Sequence, residues 1–243
     1  MKISLFVPCL VDQVAPETAR ATVNLLERLG HEVYYDARQT CCGQAVFNAG
    51  FHDEARRLAQ RFIRLFRDAE VVVAPSGSCV SMVVHHYGEL GFEGDLARDW
   101  EALKDRVWEL SAFLVDKLNV TNVGACFPHS VSYHASCHLL RDLSVKDQPL
   151  RLLREVGDLE LVEGGWGDEC CGFGGIFSVK YAELSHRIAD RRAGTLASGG
   201  AEYITAADDS CLLQLDEAFR RIGAAQRTIH IARILASEDG GER

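Results

Sequence analysis

The chain has 243 residues, of which 47% are apolar, so it can bury the core of one large domain or of two domains of about 120 residues. Its formal net charge of −9 argues against a nucleic-acid-binding surface, because phosphate binding needs an excess of basic side chains. Apolar runs are of strand length and fall well short of the roughly 18 residues of a membrane-spanning helix. No export signal is recognised, so we expect a cytoplasmic protein in a reducing compartment.

The first half of the chain predicts strands that alternate with helices. Short apolar runs predict strands over residues 2–8, 32–35 and 70–74. Apolar residues at intervals of three and four predict amphipathic helices over residues 19–29 and 51–66. This alternation is typical of parallel βαβ units.

The second half repeats this order, with strands predicted over residues 130–133, 159–162 and 201–205. Between the halves, residues 101–118 predict a connecting helix and residues 119–128 a boundary. We therefore predict an α/β fold of two pseudo-symmetric, Rossmann-like domains with parallel sheets, derived from an internal duplication. The first cysteine-rich domain is predicted over residues 1–122 and the second over residues 123–243.

Eight of the nine cysteines follow one repeated pattern. In each copy a single cysteine precedes an adjacent pair that is followed by glycine, and a last cysteine comes later. The intervening segments have 31 and 36 residues in the first copy and 32 and 39 in the second. The first cysteine set is Cys9, Cys41, Cys42 and Cys79, and the second cysteine set is Cys137, Cys170, Cys171 and Cys211.

Each predicted strand ends just before a cysteine of the pattern. The carboxyl ends of parallel strands share one edge of a sheet, so cysteines over 30 residues apart can converge there. Four converging thiolates are the ligand set of zinc sites and of iron–sulfur clusters. Adjacent cysteines are awkward as two ligands of a single zinc, whereas a cluster offers them separate irons, so the pattern favours iron–sulfur.

Two alternatives remain open from the residues alone. The same thiolates could hold zinc in a structural or scaffolding module that moves no electrons. An adjacent pair such as Cys170 and Cys171 could instead cycle between thiols and a disulfide, although vicinal disulfides are strained. We rank the disulfide reading last.

Residues outside the repeat receive simpler interpretations. Cys126 has no counterpart and is interpreted as structural. His134 and His138 flank the first cysteine of the second set, and each is interpreted as a backbone-bonded histidine in preference to a nitrogen ligand or a proton relay. Asp208 and Asp209 precede a predicted helix and are interpreted as caps in preference to metal ligands.

The motifs around the cysteines resemble those of a known family. They are Cys41-Cys42-Gly43-Gln44, residues 75–79, residues 134–141 and Cys170-Cys171-Gly172-Phe173-Gly174-Gly175. With them the chain resembles, over almost its whole length, the cysteine-rich Cys-Cys-Gly family that includes a cysteine-rich component of heterodisulfide reductase and the glycolate oxidase iron–sulfur subunit.

Within that family the chain looks most like members that act in lactate utilization. The resemblance implies an iron–sulfur electron-transfer subunit of a complex that oxidises L-lactate to pyruvate, with glycolate or another 2-hydroxy acid as the alternative substrate. It implies that the eight repeated cysteines hold one or two clusters. It also implies partner subunits, including a ferredoxin-type iron–sulfur protein, since this chain has no Cys-x-x-Cys-x-x-Cys run of its own.

The chain departs from the broader family at the end of each copy. The family pattern ends in Cys-x-x-Cys, but here only Cys79 and Cys211 are present. The possible second positions hold Ser76 or Met82 in the first copy and Asp208 or Gln214 in the second. Four cysteines per half suit a [4Fe-4S] centre, or one with a further non-cysteine ligand, better than a five-thiolate cluster.

Overall fold

Two four-stranded parallel sheets form the framework of the protein, which is described by a computed structural model over residues 1–163 and 168–238. The strand orders are β2-β1-β3-β4 and β6-β5-β7-β8, so each half places its strands in the same sequence-to-space order. Every pairing within the two sheets is parallel. The predicted duplicated α/β fold is confirmed.

The first half contains β1 (Lys2–Leu5), α1 (Cys9–Val14), α2 (Pro16–Arg28), β2 (Glu32–Tyr35), α3 (Gln44–Asn48), α4 (His52–Phe66), β3 (Val71–Ala74), α5 (Gly77–Val84), a 3₁₀ turn (His86–Leu90), α6 (Gly94–Lys104), β4 (Val107–Glu109) and α7 (Leu110–Ala112), which continues into a π-helical turn (Phe113–Lys117). The second half contains β5 (Ser130–Tyr133), α8 (Cys137–Arg141), α9 (Gln148–Leu153), β6 (Glu160–Leu161), α10 (Ile176–Lys180), α11 (Ala182–Ala197), β7 (Tyr203–Ala206), α12 (Asp209–Ile222), β8 (Arg227–His230) and α13 (Ile231–Ala236).

The predicted connecting helix over residues 101–118 is wrong. Helix α6 ends at Lys104, and Val107–Glu109 then forms β4, which pairs in parallel with β3. The apolar residues of this segment therefore belong to a strand and to a separate helical turn. They do not form the continuous apolar stripe of one helix.

The two sheets pack around a common apolar core. Side chains alternate along β3, so that Val71 and Val73 join this core while Val72 and Ala74 face the first half's own helices. Residues of α2 and α13, such as Leu25 and Ile231, bury themselves in the same core. Each half thus covers one sheet face with its own helices and shares the other face with its counterpart.

Helices of one half contact helices of the other in matching pairs. Helix α5 contacts α8 and α1 contacts α12, while α2 contacts α13 and α9 contacts α7. Helices α3 and α10, which occupy equivalent places in the two halves, contact each other. These reciprocal contacts are those of an approximate two-fold axis. No helix in the described ranges is long and apolar enough to cross a membrane.

Glu109 is a buried carboxyl group at the junction of β4 and α7. Its Oε2 accepts hydrogen bonds from the backbone N–H of Ser111 at 2.8 Å and of Ala112 at 3.1 Å, so it caps the helical turn. Burial removes water from the carboxyl group and raises its pKa to about 7 from the ordinary value of 4.5. The folded protein therefore binds this proton more tightly than the unfolded chain.

Glu109→Gln should change how stability depends on pH. Because the folded-state pKa is raised, the protonated carboxyl contributes stability that is present below pH 4.5 and lost as the pH rises through 7. The neutral amide of glutamine has no such pH dependence. As the pH rises from 5 to 9, the unfolding free energy of the variant should therefore increase by about 2–3 kcal/mol relative to that of the wild type. Denaturant unfolding at several pH values measures this, with exposed Glu27→Gln as control. A pH-independent difference would contradict the prediction.

Two candidate metal centres

The cysteines lie at the carboxyl edge of each sheet, where strands turn into helices. Cys9 and Cys137 are the first residues of α1 and α8, which follow the first strand of each half. Cys79 and Cys211 lie in the first turns of α5 and α12. Each adjacent pair lies in the loop before α3 or α10. Equivalent elements therefore position equivalent cysteines in the two halves.

The four sulfurs of the first cysteine set lie close together. Cys9 Sγ lies 3.5 Å from Cys41 Sγ, and Cys42 Sγ lies 3.3 Å from Cys79 Sγ. The backbone N–H of Gly43 donates to Cys41 Sγ at 3.3 Å. Cys42 and Cys79 are buried, whereas Cys9 is exposed to solvent.

The second cysteine set repeats this arrangement. Cys171 Sγ lies 3.0 Å from Cys211 Sγ, and the backbone N–H of Gly172 donates to Cys170 Sγ at 3.3 Å. Cys170 also shares hydrogen bonds with Cys137 and Cys171. The structure thus brings together all eight repeated cysteines as two sets of four, and no disulfide joins them.

Crowding of the sulfurs divides the thiols of each set into strong and weak acids. Hydrogen bonds from Cys42 and then Cys9 lower the pKa of the Cys41 thiol to about 3, and the Gly43 N–H adds to this effect. In the second set, hydrogen bonds from Cys137 and then Cys171 lower the pKa of Cys170. Cys41 and Cys170 are therefore ionised at neutral pH.

Two other thiols in each set, those of Cys9 and Cys42 and those of Cys137 and Cys171, hold their protons more tightly than an ordinary cysteine. The pKa of Cys9 and of Cys137 is raised, first by the hydrogen bond to the neighbouring thiolate and then by burial. The pKa values of Cys42 and Cys171 are raised for the same two kinds of reason, since each donates to other cysteines of its set. A cation that bound four sulfurs would replace these protons, which fits soft thiolate-binding metals.

The second cysteine set has a histidine that the first set lacks. A ring nitrogen of His134 and the sulfurs of Cys171 and Cys211 all lie within 4.8 Å of one another, and all three residues are buried. Burial lowers the pKa of His134 to about 3, so its ring is neutral. Its Nδ1 accepts a hydrogen bond from Arg192 Nε at 3.1 Å.

The interpretation of His134 as a merely backbone-bonded histidine is wrong, because its ring accepts a hydrogen bond from Arg192 and has a nitrogen within 4.8 Å of two sulfurs of the second cysteine set. Sequence reasoning also missed Arg192, which is 1% exposed on α11. A signal was present, since Arg192 interrupts the apolar stripe formed by Ala189, Ala193 and Leu196. His138 lies at the edge of the set, where its Nδ1 is 3.6 Å from Cys137 Sγ.

Asp208 does not cap its own helix, contrary to the interpretation from the sequence. No side-chain hydrogen bond from Asp208 caps α12. Instead its Oδ1 accepts from Ser76 Oγ at 2.8 Å, from Ser78 Oγ at 2.7 Å and from the Ser78 backbone N–H at 3.2 Å, all in the other half. This carboxylate therefore ties α12 to the start of α5. Asp209, also interpreted as a cap, accepts from Thr18 Oγ1 at 3.3 Å.

The positions where the broader family has a further cysteine are engaged elsewhere. Ser76 and Asp208 are hydrogen-bonded to each other across the two halves. Met82 is buried in the apolar cluster around α4 and α5, and Gln214 Nε2 donates to Ser185 Oγ at 3.0 Å. These contacts favour four sulfur donors in each half. Cys126 lies apart from both sets, where its thiol contacts Asp158 at 3.4 Å.

Gly43 and Gly172 follow the adjacent cysteines with φ values of +93° and +86°, which an L side chain rarely adopts. Their surroundings differ. A Cβ on Gly172 would lie 2.6 Å from the backbone oxygen of Ser185 on α11, whereas the nearest atom to a Cβ on Gly43 would be 3.5 Å away. The loop of the second set is therefore held tightly against its helix.

Gly172→Ala should be the more damaging of two matched substitutions. Gly43→Ala carries only the strain of positive φ and should lower the unfolding free energy by roughly 1–2 kcal/mol. Gly172→Ala adds a backbone clash and should cost about 3 kcal/mol or more, with weaker metal binding in the second half. Chemical denaturation and metal titration measure both effects. Equal losses in the two variants would contradict the difference in packing.

Asp208→Ala should weaken the junction between the halves. The substitution removes the carboxylate that accepts hydrogen bonds from Ser76 Oγ and the Ser78 backbone N–H. We therefore expect a loss of about 2–4 kcal/mol in unfolding free energy. Asp53→Ala is the control, because that side chain is 77% exposed in its ion pair with Arg56 and should matter by less than about 1 kcal/mol. Similar stability for the two variants in denaturant unfolding would show that the junction does not depend on the carboxylate.

The chain matches one known family twice and has relatives over nearly its full length. Residues 3–84 and residues 131–216 each match the cysteine-rich domain family designated CCG. Lactate utilization protein A of Geobacillus kaustophilus (strain HTA426) is 45% identical over 239 residues, which span 97% of this chain and 98% of that protein. The protein of the same name from Macrococcus caseolyticus (strain JCSC5402) is 43% identical over 242 residues, which span 98% of this chain and 97% of that protein.

Similarity to solved structures is weaker. Glutamate racemase from Francisella tularensis, crystallised with D-glutamate, has a TM-score of 0.37 and 11% identity, and the match covers 97% of this chain and 78% of that one. We infer nothing from so distant a likeness. Because both cysteine sets lie within the matched regions and the relatives align over nearly the full length, the chain belongs to the lactate utilization protein A group of the cysteine-rich CCG family.

Proposed function

We propose that this protein is an iron–sulfur electron-transfer subunit of a complex that oxidises L-lactate to pyruvate. The observation that carries the proposal is the presence of two sets of four cysteine sulfurs at equivalent sheet edges. The name of the relatives, lactate utilization protein A, supports lactate as the substrate of the complex. A [4Fe-4S] centre in each half would accept and release one electron at a time.

The donor sets fit an iron–sulfur cluster better than a single zinc. Each set includes two cysteines adjacent in sequence, and separate irons of one cluster can take them without strain in the loop. The backbone N–H groups of Gly43 and Gly172 donate to sulfur, as amides around cluster sulfurs do.

Exposure of part of each set supports electron exchange with partner proteins. Cys9 and Cys170 are exposed, whereas Cys42 and Cys171 are buried. The buried side would protect a cluster from water, and the exposed side would bring it within reach of a docked partner. Such one-sided exposure suits a carrier that must both hold and pass electrons.

Oxidation of L-lactate to pyruvate releases two electrons and two protons. We place the bond-breaking step on a partner protein, from which electrons would enter this protein singly. They would leave to a ferredoxin-type iron–sulfur protein of the same complex. The residues of this chain would therefore bind and tune the carriers, while the partners supply the substrate site and the acceptor.

Metal and sulfide analysis with cysteine variants tests the proposal. Anaerobically reconstituted protein should contain about four irons and about four sulfides for each half, with thiolate-to-iron absorption that dithionite bleaches. Cys79→Ser and Cys211→Ser should each lose about half of the iron, since each removes a buried ligand of one set.

Cys126→Ser is the matched control, because its thiol lies outside both sets and its loss should leave iron and sulfide unchanged. Stoichiometric zinc with no reducible chromophore would identify a structural zinc module and overturn the electron-transfer proposal. Iron-loaded protein that lactate cannot reduce when its partner proteins are present, while glycolate can, would move the proposal to another 2-hydroxy acid.

A further inference from the structure

The two halves differ at one pair of equivalent positions, which lie shortly before the first cysteine of each set in the sequence. Phe6 and His134 each follow the first strand of their half and precede its first cysteine by three residues. Phe6 packs edge-on against Phe62 of α4, with ring centroids 4.9 Å apart. His134 instead accepts a hydrogen bond from Arg192 of α11. An aromatic pair in the first half is thus replaced by a polar pair in the second.

Phe6 and His134 both lie near the cysteines of their own half. Phe6 belongs to the same buried apolar cluster as Cys42 and Cys79. A ring nitrogen of His134 lies within 4.8 Å of the sulfurs of Cys171 and Cys211. The first cysteine set therefore has an apolar phenylalanine ring beside it, whereas the second has the histidine ring of His134, which can form hydrogen bonds.

The hydrogen bond from Arg192 determines which nitrogen of His134 carries the proton. A guanidinium N–H can only donate, so Nδ1 must accept through its lone pair. The neutral ring then has its hydrogen on Nε2. Nε2 is fully buried, and it has no hydrogen-bond partner among the described residues.

A nitrogen that carries hydrogen cannot also ligate a metal. The tautomer set by Arg192 therefore argues against a histidine ligand, even though His134 lies close to two cysteine sulfurs. It leaves a buried N–H donor on a ring that has a nitrogen within 4.8 Å of the sulfurs of Cys171 and Cys211, which become negatively charged when metal is bound. A buried donor with no partner is costly, and the two cysteine sulfurs are acceptors close to this ring.

We propose that the Nε2–H of His134 donates a hydrogen bond to sulfur of the second centre and makes this centre easier to reduce than the first. The inference rests on the proposed function, because it requires a reducible cluster in each half. One-electron reduction adds negative charge to the cluster, and a hydrogen-bond donor at sulfur stabilises that charge. The apolar side chains of Phe6 and Phe62 offer the first centre no such donor. An electron shared between the two centres would therefore reside mainly on the second.

Potentiometric titration of anaerobically reconstituted full-length protein tests the proposal. In a Cys79→Ser background, which retains only the second centre, His134→Phe should shift the midpoint potential downward. His134→Gln, which keeps an N–H donor, should restore part of the shift. In a Cys211→Ser background, which retains only the first centre, His134→Phe should have no effect. His129→Phe is the matched control, because His129 lies before β5, at the end of the strand opposite to the cysteines.

Two results would overturn the proposal while leaving the iron–sulfur function intact. One is an unchanged midpoint potential in an iron-loaded His134→Phe protein. The other is strong ¹⁴N hyperfine coupling in pulsed electron paramagnetic resonance of the reduced protein, which would identify a nitrogen bound directly to iron.

The tautomer can also be tested without iron. Long-range ¹H–¹⁵N correlation spectra of metal-free protein should show His134 with hydrogen on Nε2 and an unprotonated Nδ1, and Arg192→Met should abolish this preference. A ring protonated on Nδ1 would refute the inference whether or not the protein binds iron. Absence of iron from both halves of the anaerobically reconstituted wild-type protein, by contrast, would refute the proposed function.

Discussion

Four sulfur atoms crowded at the carboxyl edge of each parallel sheet are the constraint on which this protein depends. Sulfurs as close as 3.0 Å to 3.5 Å cannot all be ionised in the absence of a cation, because like charges repel strongly where water is scarce. One thiolate in each set is therefore stabilised by thiols around it. A metal or cluster would relieve this crowding by replacing protons with positive charge, so folding prepares the sites for binding.

Duplication accounts for the framework, and divergence accounts for the chemistry around it. The equivalent helix starts place Cys9 with Cys137 and Cys79 with Cys211 in their respective halves. The surroundings have changed more freely. Gly172 is packed tightly against α11 where Gly43 has room, and His134 stands where the first half has Phe6. Two sites with the same four cysteines can thus have different properties.

Much of the framework was predictable from the sequence because it depends on local patterns. The strands over residues 32–35 and 130–133 were predicted with the bounds that the structure gives them. The convergence of the cysteines followed from the geometry of parallel strands. Strand β4 was missed because three residues are too few to reveal a period, and its neighbours resemble a helix. Strand β8 was missed because its first two residues are polar and partly exposed.

The finer features of the sites depend on contacts between distant segments. Arg192 and His134 are 58 residues apart, and Asp208 lies 132 residues from Ser76, so neither pairing leaves a local pattern. The apolar context of Arg192 indicated that something was unusual there, but it did not indicate a partner. Side-chain direction at the end of β5 decides that contact, and only the packed structure provides it.

The shared core has a consequence for how such a protein could arise. Helix pairs that cross the junction come in reciprocal sets, α5 with α8 and α1 with α12, as they would in a symmetric dimer of a single half. A half on its own would expose the sheet face that now lies in the common core. An ancestral half-length chain would therefore have needed a second copy of itself to be stable. Fusion of two such genes would then have freed each copy to change independently, which a homodimer does not allow.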